Sequence, residues 1–104
     1  MSDPTLWTAV AQARAIAERR LSSTELLDLV AARIDSLDRS VNAVCTLDLE
    51  AARAAARRAD DVTASGAPLP PLHGLPMTVK DAIATAGMRS TGGAMALRDF
   101  VPSS

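Results

Sequence analysis

The sequence predicts an α/β chain in which three amphipathic helices are followed by a strand-rich stretch. Three observations carry that expectation. Apolar residues recur at helical spacing through the first 66 positions. The texture then changes at Gly66-Ala67-Pro68-Leu69-Pro70-Pro71, a stiff connector. Beyond it, Gly74 and Pro76 punctuate a turn, and Met77-Thr78-Val79 reads as a short, largely buried strand. Residues 1–104 then make at most one small domain, with a helical region over 1–66 and a strand-and-loop region over 67–104.

Each element has a local cause. Asp3 is placed as an N-cap with Pro4 at the first helical position, and the helix is expected to run to Arg19 or Arg20. Leu6, Ala9, Val10, Ala13, Ile16 and Ala17 form its apolar stripe, and Trp7 beside them reads as a core anchor. Ser22 with Glu25 three residues later is a capping box that opens the second helix. Its face is Leu26, Leu27, Val30, Ala31, Ile34 and Leu37, with Asp35 and Arg39 spaced for a surface pair. The β-branched run Val41-Asn42-Ala43-Val44-Cys45-Thr46-Leu47 reads as a strand or an extended segment, with Cys45 a buried structural thiol. Asp48 caps a third helix that stops at Gly66 and turns Ala52, Ala55, Ala56, Ala59 and Val62 inward. Arg57 and Asp61 are spaced for a pair on its solvated face. After the proposed strand, Ile83 and Thr85 read as a second extended piece before a turn at Gly87. Arg89-Ser90-Thr91-Gly92-Gly93-Ala94 is a small-residue loop without the spacing of a phosphate loop, and 94–100 reads as a short helix.

Composition removes several function classes. The 48% hydrophobic content argues against disorder. Trp7 and Phe100 are the only aromatic residues, so Ala, Leu, Val and Ile must build the core, and packing is expected to be completed from outside this chain. A net charge of -1 leaves no electrostatic footprint for nucleic acid, despite the helix-turn-helix look of the first two helices. One Cys and one His cannot make a disulfide framework or a His/Cys zinc cluster, so no metal is expected. No run of about 18 apolar residues and no signal-peptide charge pattern is present, which makes the cytoplasm the expected location, with no membrane partner.

Lys80 stands out chemically. It ends the proposed strand, is followed at once by Asp81, and is the only Lys among 11 basic residues. Arg stays charged near neutral pH, whereas a desolvated Lys can lose its proton and act as a base. Codon bias toward Arg and Ala explains the same composition without function, and both readings stay open at this point.

The surrounding stretch decides between them. Pro70-Pro71-Leu72-His73-Gly74-Leu75-Pro76-Met77-Thr78-Val79-Lys80-Asp81 and its continuation through Ile83, Thr85 and Gly87 resemble the leader of the amidase signature family. Ser90-Thr91-Gly92-Gly93 and the run from Leu97 to Pro102 resemble the loop that follows, and Ser22 to Leu27 and Asn42-Ala43-Val44 resemble the family's N-terminal elements. The resemblance implies a mixed β-sheet core surrounded by helices, of which this chain would hold the N-terminal helices and first strands, an incomplete set. It implies an amide hydrolase or transferase with a Ser–cis-Ser–Lys triad, in which Lys80 occupies the catalytic lysine position. It also implies a small-molecule amide substrate and no metal or organic cofactor, with a homo-oligomer left open. His73 is not a triad member in that pattern and is expected to bond nearby backbone. Asp81 either orients Lys80 or caps the loop.

The family's two serines lie in a Gly-Ser-Ser-Gly-Gly-type segment that nothing in these 104 residues matches, Ser103-Ser104 being only an echo. The expectation is therefore an N-terminal piece of an amidase, inert by itself. The alternatives are a non-catalytic helical interaction module or remnant, and the A-type subunit of a tRNA-dependent amidotransferase.

Overall fold

Two competing caps shape the start of the chain. In the computed structural model, which describes residues 3–44, 46–81, 83 and 85–103, Asp3 accepts the Thr5 amide and closes a single 3-10 turn, Pro4–Leu6. Trp7 is then extended, and Thr8 starts α1 (Ala9–Ala17) by accepting the Ala11 amide at 3.1 Å. The single helix expected from Pro4 is therefore two pieces, because Thr8 is itself a good N-cap. Leu6 and Val10, expected to be inward, are about 70% exposed, while Ala15 and Ile16 are buried. α1 ends at Ala17, short of the expected Arg19 or Arg20, and Arg19 just beyond its cap adopts a left-handed φ of 60°.

The next two helices follow the sequence closely. α2 (Ser23–Val41) begins with the complete capping box: Ser22 Oγ accepts the Glu25 amide and the Glu25 carboxylate accepts the Ser22 amide. It stops at left-handed Asn42, and Asp38 Oδ1 then accepts the Ala43 and Val44 amides. α3 (Leu49–Ser65) begins at Asp48 and ends at Gly66, φ 78°. α2 and α3 run antiparallel, tied by Ser23 to Asp60 at one level and Asp28 to Arg53 at another. Of the run 41–47, expected to be a strand or an extended segment, Val41 belongs to α2, Asn42 is its cap, and 43, 44, 46 and 47 form no strand. The reading of Cys45 as a buried thiol falls outside the described residues, as does Ser104.

The core is small. Ala15, Ile16, Leu21 and Leu26 form it, with Trp7, Val30 and Leu75 packed against them. Burial fades along α2, so that Leu26 is buried while Leu37 is 49% exposed. On α3 the inward positions are Ala56 (buried) and Ala52, Ala59, Asp60 and Thr63 (half-buried); Ala55 and Val62 face solvent. Neither the Asp35–Arg39 nor the Arg57–Asp61 pair forms among the described residues. The radius of gyration, 15.1 Å, exceeds the roughly 13 Å of a compact chain of this length.

The β part of the predicted α/β class is overturned. Among the described residues there are three helices and two 3-10 turns, with no strand and no sheet. The Met77–Val79 run is irregular, and Met77 and Val79 are 68% and 54% exposed rather than buried. Ile83 and Thr85 likewise form no strand. A helix satisfies its own N–H and C=O groups, but a strand needs a neighbour for them. An apolar, β-branched run shows a segment suited to pairing, and no described residue supplies the pair. The expected helix over 94–100 is reduced to one 3-10 turn, Met95–Leu97. No helix among the described residues is long and apolar enough to cross a membrane.

Candidate active-site turn

The segment that leads to Lys80 is docked on the helices through three successive residues. His73 Nε2 lies 3.0 Å from the Ala59 carbonyl and 2.9 Å from Thr63 Oγ1, both on α3. A carbonyl only accepts, so the ring carries its proton on Nε2. Gly74 has φ 78° and packs so closely that a Cβ there would sit 3.3 Å from two atoms of Ile16 and 3.4 Å from Ser23 Cβ. Its carbonyl accepts the Ser23 hydroxyl at 2.7 Å. Leu75 then enters the core beside Ile16. Only glycine combines that φ with that approach. His73 thus bonds backbone as expected, but on a helix 14 residues upstream.

Asp60 holds the platform beneath this turn. Its carboxylate accepts the Ser23 amide at 2.7 Å, the Thr24 amide at 3.2 Å and the Thr24 hydroxyl at 2.6 Å. It is a second anionic cap on α2, supplied from α3 at the positive end of the helix dipole. Reciprocally, Arg19 Nη2 donates to the Thr63 and Ala64 carbonyls at the other helix's C-terminal end. Sequence reasoning missed both. The signal was present for Asp60: it lies four residues after Ala56, inside the stripe that faces α2.

Lys80 follows as an exposed residue whose carbonyl accepts the Ile83 amide at 2.9 Å. No ion pair reaches Lys80 from the described residues. Asp81, next to it, turns to the small-residue loop instead. Its carboxylate accepts the Thr91 amide at 2.9 Å and the Thr91 hydroxyl, and its carbonyl accepts the Gly92 amide at 3.1 Å. Thr91 Oγ1 accepts the Gly93 amide at 3.1 Å. The donated bonds from Thr91 hold the Asp81 carboxyl below the usual carboxylate range, with Arg89 adding a smaller charge effect. Among the described residues the Asp81 carboxylate thus caps the loop and makes no direct pair with the Lys80 amine.

The rest of the loop is closed on itself. Buried Ser90 accepts the Thr85 amide and donates to the Met88 carbonyl. The Gly87 and Ser90 amides pair with the Pro102 and Phe100 carbonyls. The Gly92 and Gly93 amides are thus engaged within the loop, by the Asp81 carbonyl and Thr91 Oγ1. No group of three or more potential metal-ligating side chains occurs among the described residues.

Comparison with known proteins agrees with the motif. Residues 25–104 match the family described as Amidase. The chain is 40% identical over 87 residues to the A-type subunit of the glutamyl-tRNA(Gln) amidotransferase from Synechococcus sp. (strain WH7803), covering 84% of this chain and 18% of that protein. It is 37% identical over 102 residues to the protein of the same name from Salinispora tropica, covering 98% and 21%, and 37% identical over 87 residues to that of Koribacter versatilis, covering 84% and 18%. The chain spans about a fifth of the length of the curated relatives it matches.

Proposed function

The chain belongs to the amidase family, and from that premise we propose that it carries the base of an amide-cleaving centre, Lys80. One observation above all supports this. Lys80 follows a turn docked by His73, Gly74 and Leu75 and precedes a loop closed by Asp81, so an exposed amine sits between two anchored segments.

The chemistry follows from the residue type. A serine hydroxyl is a weak nucleophile until a base takes its proton. Acting as the base, the Lys80 amine receives that proton through a bridging serine while the nucleophilic serine oxygen bonds the amide carbonyl carbon. The protonated amine then gives the proton to the departing nitrogen as the C–N bond breaks. Ser–Lys arrangements are a known variant of the Ser-His-Asp constellation. Both serines belong to a segment that no stretch of these residues matches, so this reading takes the chain as the lysine-bearing share of a longer, cytoplasmic enzyme. Residues 1–104 alone then cleave no amide.

The name carried by the relatives favours one form of the reading over simple hydrolysis. On that form of the reading, the nitrogen released at the Lys80 centre passes to an acceptor instead of leaving as ammonia.

The test starts from the intact mass of the native protein, detected through a peptide that spans Lys80. A mass several times 10.8 kDa is expected. In that protein, Lys80→Ala should lower amide cleavage on the order of 10⁴-fold or more. A native mass of 10.8 kDa, or a Lys80→Ala protein within tenfold of wild type, overturns the reading.

A further inference from the structure

An acidic side chain directly follows the proposed base, yet it does not pair with it. That carboxylate is engaged elsewhere. Asp81 takes both the amide and the hydroxyl of Thr91, ten residues downstream, and its carbonyl takes the Gly92 amide. Thr91 Oγ1 in turn accepts from Gly93. These bonds close a loop on the residue next to Lys80, and those to the ionised carboxylate are the stronger kind. The Lys80 carbonyl is itself held by the Ile83 amide. Upstream, the chain is fastened at Gly74 by Ser23 and Ile16. Between these fastenings the side chains of Met77 and Val79 are mostly in solvent, so core packing does not aim Lys80.

We propose that Asp81 is a positioning residue for Lys80, acting through Thr91 to hold the backbone from which the amine projects. The proposal rests on the reading of Lys80 as the base. A general base works only within hydrogen-bond reach of the proton it takes. A misplacement of about 1 Å can cost about 10²-fold in rate.

The test uses the full-length protein and whichever of L-glutamine, propionamide and benzamide it cleaves fastest. Asp81→Asn and Thr91→Val should each lower kcat about 10²-fold and leave KM within about threefold, since binding is untouched. The double variant should be no worse than either single one, because both break one clamp. Thr91→Ser, which keeps the hydroxyl, should recover most of what Thr91→Val loses. A second readout is independent of turnover: amide hydrogen exchange at Thr91 and Gly92 should quicken at least roughly tenfold in Asp81→Asn, with α2 amides unchanged. If Asp81→Asn keeps kcat within threefold while Lys80→Ala abolishes turnover, the clamp proposal fails and the base assignment stands. If Lys80→Ala keeps its activity, both fail. Unchanged exchange at Thr91 and Gly92 also overturns the clamp.

Discussion

The helical half and the loop half of this chain are stabilised by different means. Between Asp3 and Gly66 the three helices satisfy their own interior backbone groups, ends are capped by Thr8, Ser22, Asp48 and Asp60, and the apolar core is assembled. Among the described residues from 67 onward only Leu75 joins that core, and the stretch is held by discrete hydrogen bonds at His73, Gly74, Asp81 and Ser90. Met77, Val79, Ile83, Met95 and Val101 are more than half exposed. The proposed base lies in the second half. Its placement therefore depends on a few polar contacts made to a platform that the first half builds.

Substitutions that separate the two halves sharpen this contrast. The largest effect is expected for Leu26→Ala, which empties a fully buried site at the junction of the helices. A loss of about 2–5 kcal/mol is expected, read as a fall in the midpoint of urea unfolding followed by circular dichroism. A loss below about 1 kcal/mol would mean that the helical half has no working core.

Asp60→Ala comes next. It leaves the Ser23 and Thr24 amides without their acceptor, at a cost of about 1–3 kcal/mol. Asp60→Asn should recover part of this by keeping one acceptor oxygen. Equal losses in the two variants would argue against capping.

Gly74→Ala tests the junction between the halves. The left-handed φ alone costs about 1–2 kcal/mol, and the methyl group crowds Ile16. Chemical labelling should show His73 more accessible while helical circular dichroism is retained. Loss of the helices together with the turn would mean that the two halves are one cooperative unit.

The smallest effect is a pH dependence confined to the loop half. The Asp81 carboxyl is depressed by its bonds from Thr91. A depressed carboxyl stabilises the folded state fully above its unfolded value, about 3.9. That contribution is lost as pH falls through the lower folded value. The clamp should hold at pH 5 and open only as pH falls through the depressed folded value, below the ordinary Asp value of about 3.9. Carbon-detected NMR of the Asp81 carboxyl should give a midpoint under about 3.9, the ordinary value for Asp. A midpoint at or above it would show that the Thr91 bonds do not form in solution.

The parts legible from sequence share one property: their cause is local. Ser22 with Glu25, Asp48 and Gly66 marked helix ends that the structure reproduces within a residue. The motif around Lys80 named the family that residues 25–104 match. Where two local signals competed, as Asp3 and Thr8 did, periodicity alone chose one helix and the chain formed two pieces. Asp60 was passed over because a charged residue among arginines looks solvated until its partner helix is in place.

By itself, then, the sequence determined the three helices, most of their ends and the chemical identity of the candidate base, because helix hydrogen bonds and caps span only a few residues. Tertiary structure alone decided that Met77–Val79 is not a strand, that Asp60 caps α2, that His73 reaches α3 and that the Asp81 carboxylate bonds Thr91 rather than the Lys80 amine. Each of these depends on a partner ten or more residues away, or on its absence among the described residues. The free energy of such a contact is set by where the partner is delivered, which no local pattern encodes.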